Sequence, residues 1–493
     1  MELIAAHDKD FENIALRNDP VYAGIESILD LLVKFISDRG LIIYGGLAID
    51  YALRLVGDKL YPDDLLQIDY DFFSPDHIEH SYDLADKFYE IVRSTYGEEA
   101  AEGVRAIGAL HFETMRVDIR DNHFLADITY LPRAIFPHMP TLEYRGMKIV
   151  HPDIQRIDIH SSLSFPYDFP PTEVIFARWR KDITRFHMLA KHYPLVDAAA
   201  VNARTVSTHS KRTHNVASTV DASMDISTDV APTVSTVNVS GASASMDVSM
   251  SASVGTVKVG EDVKKYVLAG FSAYGIMYRN VLKSCGSVPK DIIKPSGGGD
   301  LLYGDTLEIV HFNPPKCAAE MNLAHVQRFR RFINMIPETL TGVAKFGKVK
   351  IDSTEGRLIS YVSATVDGKT YRLACVQYLL KQFLAEYHRA NMQGADGRVY
   401  LEHYISTMRL MEYEHGCIPS TEKPITRLSV VTYGSDNIST SKEISIRRVL
   451  ADIGEATPDY LPSNYYPARR KGDRPKYDIT RNEIFQESGE TRE

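Results

Sequence analysis

The chain has 493 residues, 44% hydrophobic and 25% charged, with a formal net charge of −9. Those are ordinary proportions for a soluble globular protein of two or three domains. No run reaches the roughly 18 apolar residues of a membrane span, and the acidic start MELIAAHDKDFENIALRNDP lacks the pattern of a signal peptide. Cys285, Cys317, Cys375 and Cys417 contain no CxxC pair, so they read as reduced buried thiols of a cytosol-like compartment, not as a disulfide framework or a zinc site.

In chain order, Ile25, Ile28, Leu29, Leu32 and Ile36 share one helical face, and Gly40 supplies a left-handed stop. The apolar run from Leu41 to Tyr44 reads as a strand that halts at Gly45-Gly46. Leu47, Tyr51, Ala52 and Leu55 then mark a short amphipathic helix. IDYDFF, residues 68–73, reads as the next strand, ended by Ser74-Pro75. A helix bearing Ile78, Tyr82, Ala85, Tyr89 and Val92 follows. After it come three strand-like runs, GVRAI, HFETMRVDI and HFLADITYL, and a helix from Thr172 to His192.

Between Asp197 and Val263 the composition changes. The stretch has no Leu, Phe, Tyr or Trp, and the near-copies ASMDIS and ASMDVS recur in it. Such a segment buries too little apolar surface to offset its ordering entropy, and a disordered insertion is predicted over 196–262. Patterned sequence resumes with YVLAGFSAYGIMYRNVL and runs through DTLEIVHF, RLISYVSATV and TYRLACVQYLLKQFLAEYHR to about Leu461. The predicted organisation is a first α/β segment over 1–195, the insertion, a second mixed α/β segment over 263–461 and a basic tail over 462–493.

The acidic total argues mildly against a nucleic-acid partner. Basic clusters recur, however, at Arg178, Arg180, Lys181 and Arg185, at Arg328, Arg330 and Arg331, and along the tail from Arg469 to Lys476. They are either solvated faces or, if they line one groove, a local field that outweighs the total.

The first segment carries the chemistry. Asp69 and Asp71 lie two apart in an apolar strand, so their carboxylates project to one side. Like charges that close repel unless a cation lies between them. Asp127, inside the apolar run FLADITY, needs a partner to offset its desolvation. A shared metal would serve, and so would a salt bridge to Arg116. Asp118 is the rival third carboxylate. Three carboxylates around one point suit two Mg²⁺ ions. The Gly45-Gly46 backbone N–H groups at a helix start can then face phosphate. Neither GxxxxGK[ST] nor GxGxxG is present, which excludes the P-loop and dinucleotide-fold readings.

Strand, Gly-Gly, helix, DxD and a later strand Asp is the pattern of the DNA polymerase β-like nucleotidyltransferases. IIYGGLAIDYAL, IDYDFFSPDHIEHSYDLAD, ADITYLP and KIVHPDIQRIDIHSSLSFPYDFPP closely resemble the poly(A) polymerase catalytic subunits of large nucleocytoplasmic DNA viruses, of the asfarvirus and mimivirus type. The resemblance implies an α+β chain, in which a polymerase-β-like nucleotidyltransferase domain is followed by a second, inert domain of the same kind. It implies addition of AMP from ATP to viral mRNA 3′ ends, with two Mg²⁺ or Mn²⁺ ions held by Asp69, Asp71 and Asp127. Gly45 and Gly46 would hold the triphosphate, with Arg178 and Lys181 on a basic helix beside the nucleotide. It further implies a homodimer with no membrane association, working in the host cytoplasm at the viral factory and packaged in the virion. A nucleotidyltransferase with a small-molecule or protein acceptor, or an idle RNA-binding scaffold, are the alternatives. Tyr465 and Tyr466 are offered either as base-stacking groups or as residues that pack the tail onto the second domain.

Overall fold

The computed structural model describes residues 22–62, 69–109, 113–119, 123–165, 172–195, 266–295, 306–329, 331–333, 335–355, 359–419, 421–427 and 465–469. The predicted disordered insertion and all but five residues of the basic tail lie outside that set. Among the described residues no helix is long and apolar enough to cross a membrane.

The first half begins with α1 (Tyr22–Arg39), β1 (Ile42–Tyr44), α2 (Gly45–Arg54) and β2 (Tyr70–Ser74). It continues with α3 (His77–Tyr96), the short α4 (Glu98–Ala101), β3 (Val104–Gly108), β4 (Thr114–Ile119) and β5 (His123–Tyr130). A hairpin of β6 (Thr141–Tyr144) and β7 (Met147–Val150), then α5 (Pro152–Ser164) and α6 (Thr172–His192), complete it. Gly40 ends α1 at φ 60°, as its position predicts. Alternation decides which side of the sheet each strand residue meets. Phe72, Ile43, Val117 and Ile128 join Leu32, Tyr82 and Phe88 of α1 and α3 in one core, while Ile42, Phe73 and Val150 face the second half.

The second half runs β8 (Val267–Leu268), α7 (Gly270–Cys285), β9 (Thr306–His311), α8 (Pro314–Glu320), β10 (Ala324–Phe329), β11 (Thr339–Ala344) and β12 (Gly347–Ser353). Then come β13 (Tyr361–Val366), β14 (Lys369–Ala374), α9 (Val376–Met392) and α10 (Arg398–Cys417).

The two sheets have one topology. The first is ordered β3-β4-β5-β2-β1-β7-β6, and the second β10-β11-β12-β9-β8-β14-β13, so each strand has a counterpart seven places on. Strand directions agree as well. The β1–β7 and β2–β5 pairs are parallel, as are β8–β14 and β9–β12, and the remaining pairs in both sheets are antiparallel. In each half the helix that follows the first strand starts on a glycine, Gly45 of α2 and Gly270 of α7. The counterpart helices α5 and α9 meet at the seam. There the buried His160 of α5 bonds Gln377 at 2.8 Å and Tyr404 at 2.9 Å, and Ser360 N–H donates to Ser164 O at 3.0 Å.

Two expectations are corrected. Cys285 and Cys417 are joined in a disulfide that ties α7 to α10, while Cys317 and Cys375 are buried outside that bond. The spacing of the pair, 132 residues, hides it from a search for short motifs. Tyr465 is also buried, against Tyr82 of the first half, and exchanges backbone hydrogen bonds of 2.8 Å with Ala106 of β3. It is therefore no stacking platform for a base, and it joins the first half instead of the second.

Candidate active site

The sheet register sets the site. Tyr44, Asp71 and Asp127 stand in one row across β1, β2 and β5, because Tyr44 pairs with Asp71 and Asp71 with Asp127. Phe72 and Ile128 point into the core, so the alternate positions Asp71 and Asp127 share the opposite side. Asp69 sits just ahead of β2, which begins at Tyr70, and its side chain is exposed. The sequence places it inside the strand. The structure puts it at the strand's entrance, still close enough to feel Asp127 and Lys181.

The glycine pair lies directly over this row. Gly45 has φ 72°, a conformation that L side chains rarely adopt, and a Cβ there would collide with the Asp71 carboxylate. A Cβ on Gly46 would collide with the Tyr61 hydroxyl and the Arg185 guanidinium. Both positions are glycine because side chains already crowd the start of α2. Gly45 N–H donates to Gln155 Oε1 of α5 at 3.2 Å, and no side chain caps the helix from Tyr44. Tyr61 is held in place by Asp50, whose Oδ1 accepts from the Leu60 and Tyr61 N–H groups at 2.8 and 2.9 Å. Arg185 Nη2 in turn donates to the Tyr61 hydroxyl at 2.9 Å.

Electrostatics mark the row as short of positive charge. Burial first, then Asp127 and Asp69, push the Asp71 carboxyl up to about 8, against the pull of Arg185 and Lys181. Partial withdrawal from water, then Asp127, raise Asp69 against Lys181 and Arg116. A hard divalent ion would relieve both, and carboxylate oxygens are the donors that such an ion takes. Asp127, however, is committed to Arg116 of β4, which donates to it through Nε at 2.8 Å and Nη2 at 2.7 Å. Among the described residues no three carboxylate, histidine or cysteine side chains stand close enough to hold a metal as arranged. The donor chemistry fits a divalent ion, and Asp127 would have to exchange Arg116 for it. Asp118, the rival carboxylate, lies one strand further out on β4 and is paired with Arg105 at 2.7 Å.

Lys181 is exposed on α6 beside the row, and Arg178 lies on the same helix. Arg328 is paired with Glu338 at 2.5 Å, away from this site. Sequence reasoning gave no role to Gln155 or Tyr61 and grouped Arg185 only with a basic cluster. The signal that could have found them is their contact with the two glycines, which arises only when α5, α6 and the loop after α2 converge.

The second half repeats the row with other chemistry. Gly270, at φ 49°, matches Gly45, and its N–H donates to Gln382 Oε1 of α9 at 2.8 Å. Glu308 of β9 occupies the place of Asp71, since a Cβ on Gly270 would strike it. Lys350 of β12 pairs with Glu308 as Asp127 pairs with Asp71.

Residues 30–169 match the sequence model of the family described as poly(A) polymerase catalytic subunit. An African swine fever virus protein (isolate Pig/Kenya/KEN-50/1950) that carries this subunit's name is 41% identical over 185 residues, 38% of this chain and 37% of its own length. The first half resembles viral poly(A) polymerase catalytic subunits. A similarly named protein of Acanthamoeba polyphaga mimivirus is 28% identical over 181 residues, 36% of this chain and 28% of its own length. The matches thus span about two-fifths or less of these curated relatives. Over 94% of the chain the fold is similar to the Megavirus polyadenylate synthase structure, with a TM-score of 0.61, 16% identity and 84% of that chain covered. The α+β architecture, with a second sheet domain of the same topology as the first, is the one that the resemblance implies.

Proposed function

We infer that this chain is a template-independent polynucleotide adenylyltransferase, which extends an RNA 3′ end with AMP from ATP. The observation that carries the reading is the pairing of Asp71 with Asp127 directly beneath the glycine-started helix α2. The similarity of residues 30–169 to poly(A) polymerase catalytic subunits narrows it from nucleotidyl transfer to polyadenylation. In the reaction the 3′-hydroxyl oxygen bonds to the α-phosphorus of ATP. The bond from that phosphorus to the bridging oxygen breaks, pyrophosphate leaves and the hydroxyl proton is lost.

Asp69, Asp71 and Asp127 would hold the Mg²⁺ or Mn²⁺ ions. When bound, these neutralise the hydroxyl and the departing pyrophosphate. The protein's own part is positioning. Gln155 takes up the Gly45 N–H and so fixes the turn, leaving the N–H groups from Gly46 onward at the start of α2 for the triphosphate. Arg185 and Tyr61 stand against Gly46 on that same side, and Lys181 and Arg178 supply positive charge along α6. The mRNA 3′ end as acceptor, a homodimer and a host-cytoplasmic site of action with packaging in the virion belong to this proposal through the resemblance alone.

One assay tests the reading. The full chain is incubated with a short RNA primer, Mg²⁺ or Mn²⁺ and each nucleoside triphosphate in turn. An ATP-selective ladder that disappears in Asp71→Asn is the expected result. Extension by no nucleotide, or labelling of a non-RNA acceptor alone, overturns it.

A further inference from the structure

The chain leaving α7 is fastened along α10 by a zipper of contacts. Gly286, at φ 74°, ends α7 in the left-handed region and turns the chain back along α10. The strap that follows, residues 286–295, meets α10 rung by rung. Ser287 Oγ lies 2.9 Å from the Tyr413 hydroxyl, Arg409 Nη1 donates to Asp291 O at 3.2 Å, and Ile293 N–H donates to Ser406 Oγ at 3.2 Å. Positions 406, 409, 413 and 417 are three or four apart, so they share one face of the helix. The Cys285–Cys417 bond is the outermost rung, and a covalent one.

The rungs differ in strength. The Ser287–Tyr413 and Asp291–Arg409 contacts are exposed polar pairs, each a small contributor in water. Ile292, by contrast, is buried and anchors the inner end of the strap in the core of the second half. A cavity of about 640 Å³ opens between Pro289 and Asp291 of the strap and Glu412 and Cys417 of α10. Cys417 lines that cavity and is exposed, whereas Cys285 is half-buried. Cys317 and Cys375 are buried, so the electrons that open the bond come from outside the chain.

We propose that the Cys285–Cys417 bond is a redox exchange site, entered at Cys417 by a small thiol of the glutathione kind, and that opening it releases the outer half of the strap. The thiolate of the reductant bonds to Cys417 Sγ. The electron pair of the broken S–S bond leaves on Cys285 Sγ, which takes up a proton. A second thiol then displaces Cys417 from the mixed disulfide, and the reductant departs as its own disulfide. Two electrons and two protons have entered the chain. Release runs from Gly286 to Asp291, because Ile292 keeps its anchor. An accessible bond of this kind is open where small thiols are kept reduced and closed where they are not. The second half thus has two forms, fastened and unfastened, and the inference holds whichever reaction the first half performs.

The test uses the full chain. A short pulse of reduced glutathione, followed by excess iodoacetamide, is expected to leave glutathione on Cys417 and the alkyl group on Cys285, as read by peptide mass spectrometry. Glutathione on Cys285 instead overturns the proposal, and so does a bond that neither glutathione nor dithiothreitol opens in the folded chain. Opening by a protein dithiol alone overturns the entry of a small thiol. Full reduction with dithiothreitol should speed amide hydrogen exchange over 286–291 by about tenfold or more, and lower the Tm by roughly 10 °C. Unchanged exchange means that the bond fastens nothing, and overturns the proposal too. Cys285→Ser/Cys417→Ser should match the reduced parent chain and lose its response to dithiothreitol. Should that variant fail to fold, the exchange and Tm of the reduced parent chain decide alone. RNA and ATP enter none of these readouts, so failure here is distinct from failure of the adenylyltransferase reading.

Discussion

The two halves share a topology strand for strand and differ in the side chains along the row. Asp71, Asp127, Thr129 and Gly46 in the first correspond to Glu308, Lys350, Asp352 and Phe271 in the second. Backbone and chemistry have separated. The parallel pairing, the left-handed glycine and the glutamine beneath it are retained in both halves, because they hold the turn from strand to helix. The charged groups diverge, because nothing in the backbone requires them. A buried carboxylate row is stable only with a countercharge. One half has a lysine for it, and the other has too little, with Asp71 held up to about 8.

The contrast breaks most visibly if the carboxylates of the two halves prove interchangeable. Asp71→Asn is expected to lower the rate of AMP incorporation by about a thousandfold or more, in line with the loss of a central electrostatic group. Glu308→Gln should leave the rate within about threefold once protein is normalised to folded chain, because it lies outside the row of Asp71 and Asp127. Quantified primer extension reads both, and equal losses would erase the division of labour.

Next in size is stability. Lys350→Met removes one partner from the buried cluster that its ammonium forms with Glu308, Asp352 and Glu386 of α9, and should cost about 3–5 kcal/mol in denaturant unfolding. A loss below about 1 kcal/mol would mean that the cluster is not holding α9.

The seam offers a test by pH. Burial holds His160 down to about 4, with Gln377 opposing that shift and Arg156 reinforcing it. A histidine whose folded pKa lies below its unfolded value contributes stability above about 6.5, and that stability is lost as the pH falls toward 4. The loss amounts to about 3 kcal/mol by linkage. Stability measured at pH 7, 6 and 5 should fall along that slope, and His160→Gln should flatten part of it. His77, held down to about 3, and His388 and His403, held near 4, all by burial, keep part of the remainder. An unchanged slope in the variant would remove His160 from the account.

The smallest effect is expected at the glycine pair's neighbours. Arg185→Gln should raise KM for ATP about tenfold, or 1.4 kcal/mol, with kcat moving less. Equal losses in both constants would point to a disturbed fold around Tyr61 instead.

Much of the first half was legible in the sequence. Alternation marks β2 and β5, and the break at Gly45-Gly46 marks the start of α2, because period and turn residues are local signals. Asp127 beside Asp71 follows from pairing β5 with β2, a step that the sequence supports only through resemblance. The row in the second half was not legible. Gly270, Glu308 and Lys350 form no motif, and their correspondence to Gly45, Asp71 and Asp127 exists only in strand register. Contacts made by distant segments escaped for the same reason: Arg185 against Gly46, the Cys285–Cys417 bond, and Tyr465.

Tyr465 has a wider consequence. It pairs with Ala106 on β3, the outermost strand of the first sheet, and its hydroxyl donates to Asp86 of α3 at 2.6 Å. An outermost strand is where a foreign chain can add itself and seed aggregation. The polypeptide thus brings a residue from beyond its second half back to guard the margin of its first. A fragment ending near 195 would keep the whole carboxylate row and lose that guard, so poor solubility of such a fragment would report an uncovered margin, not an unstable site.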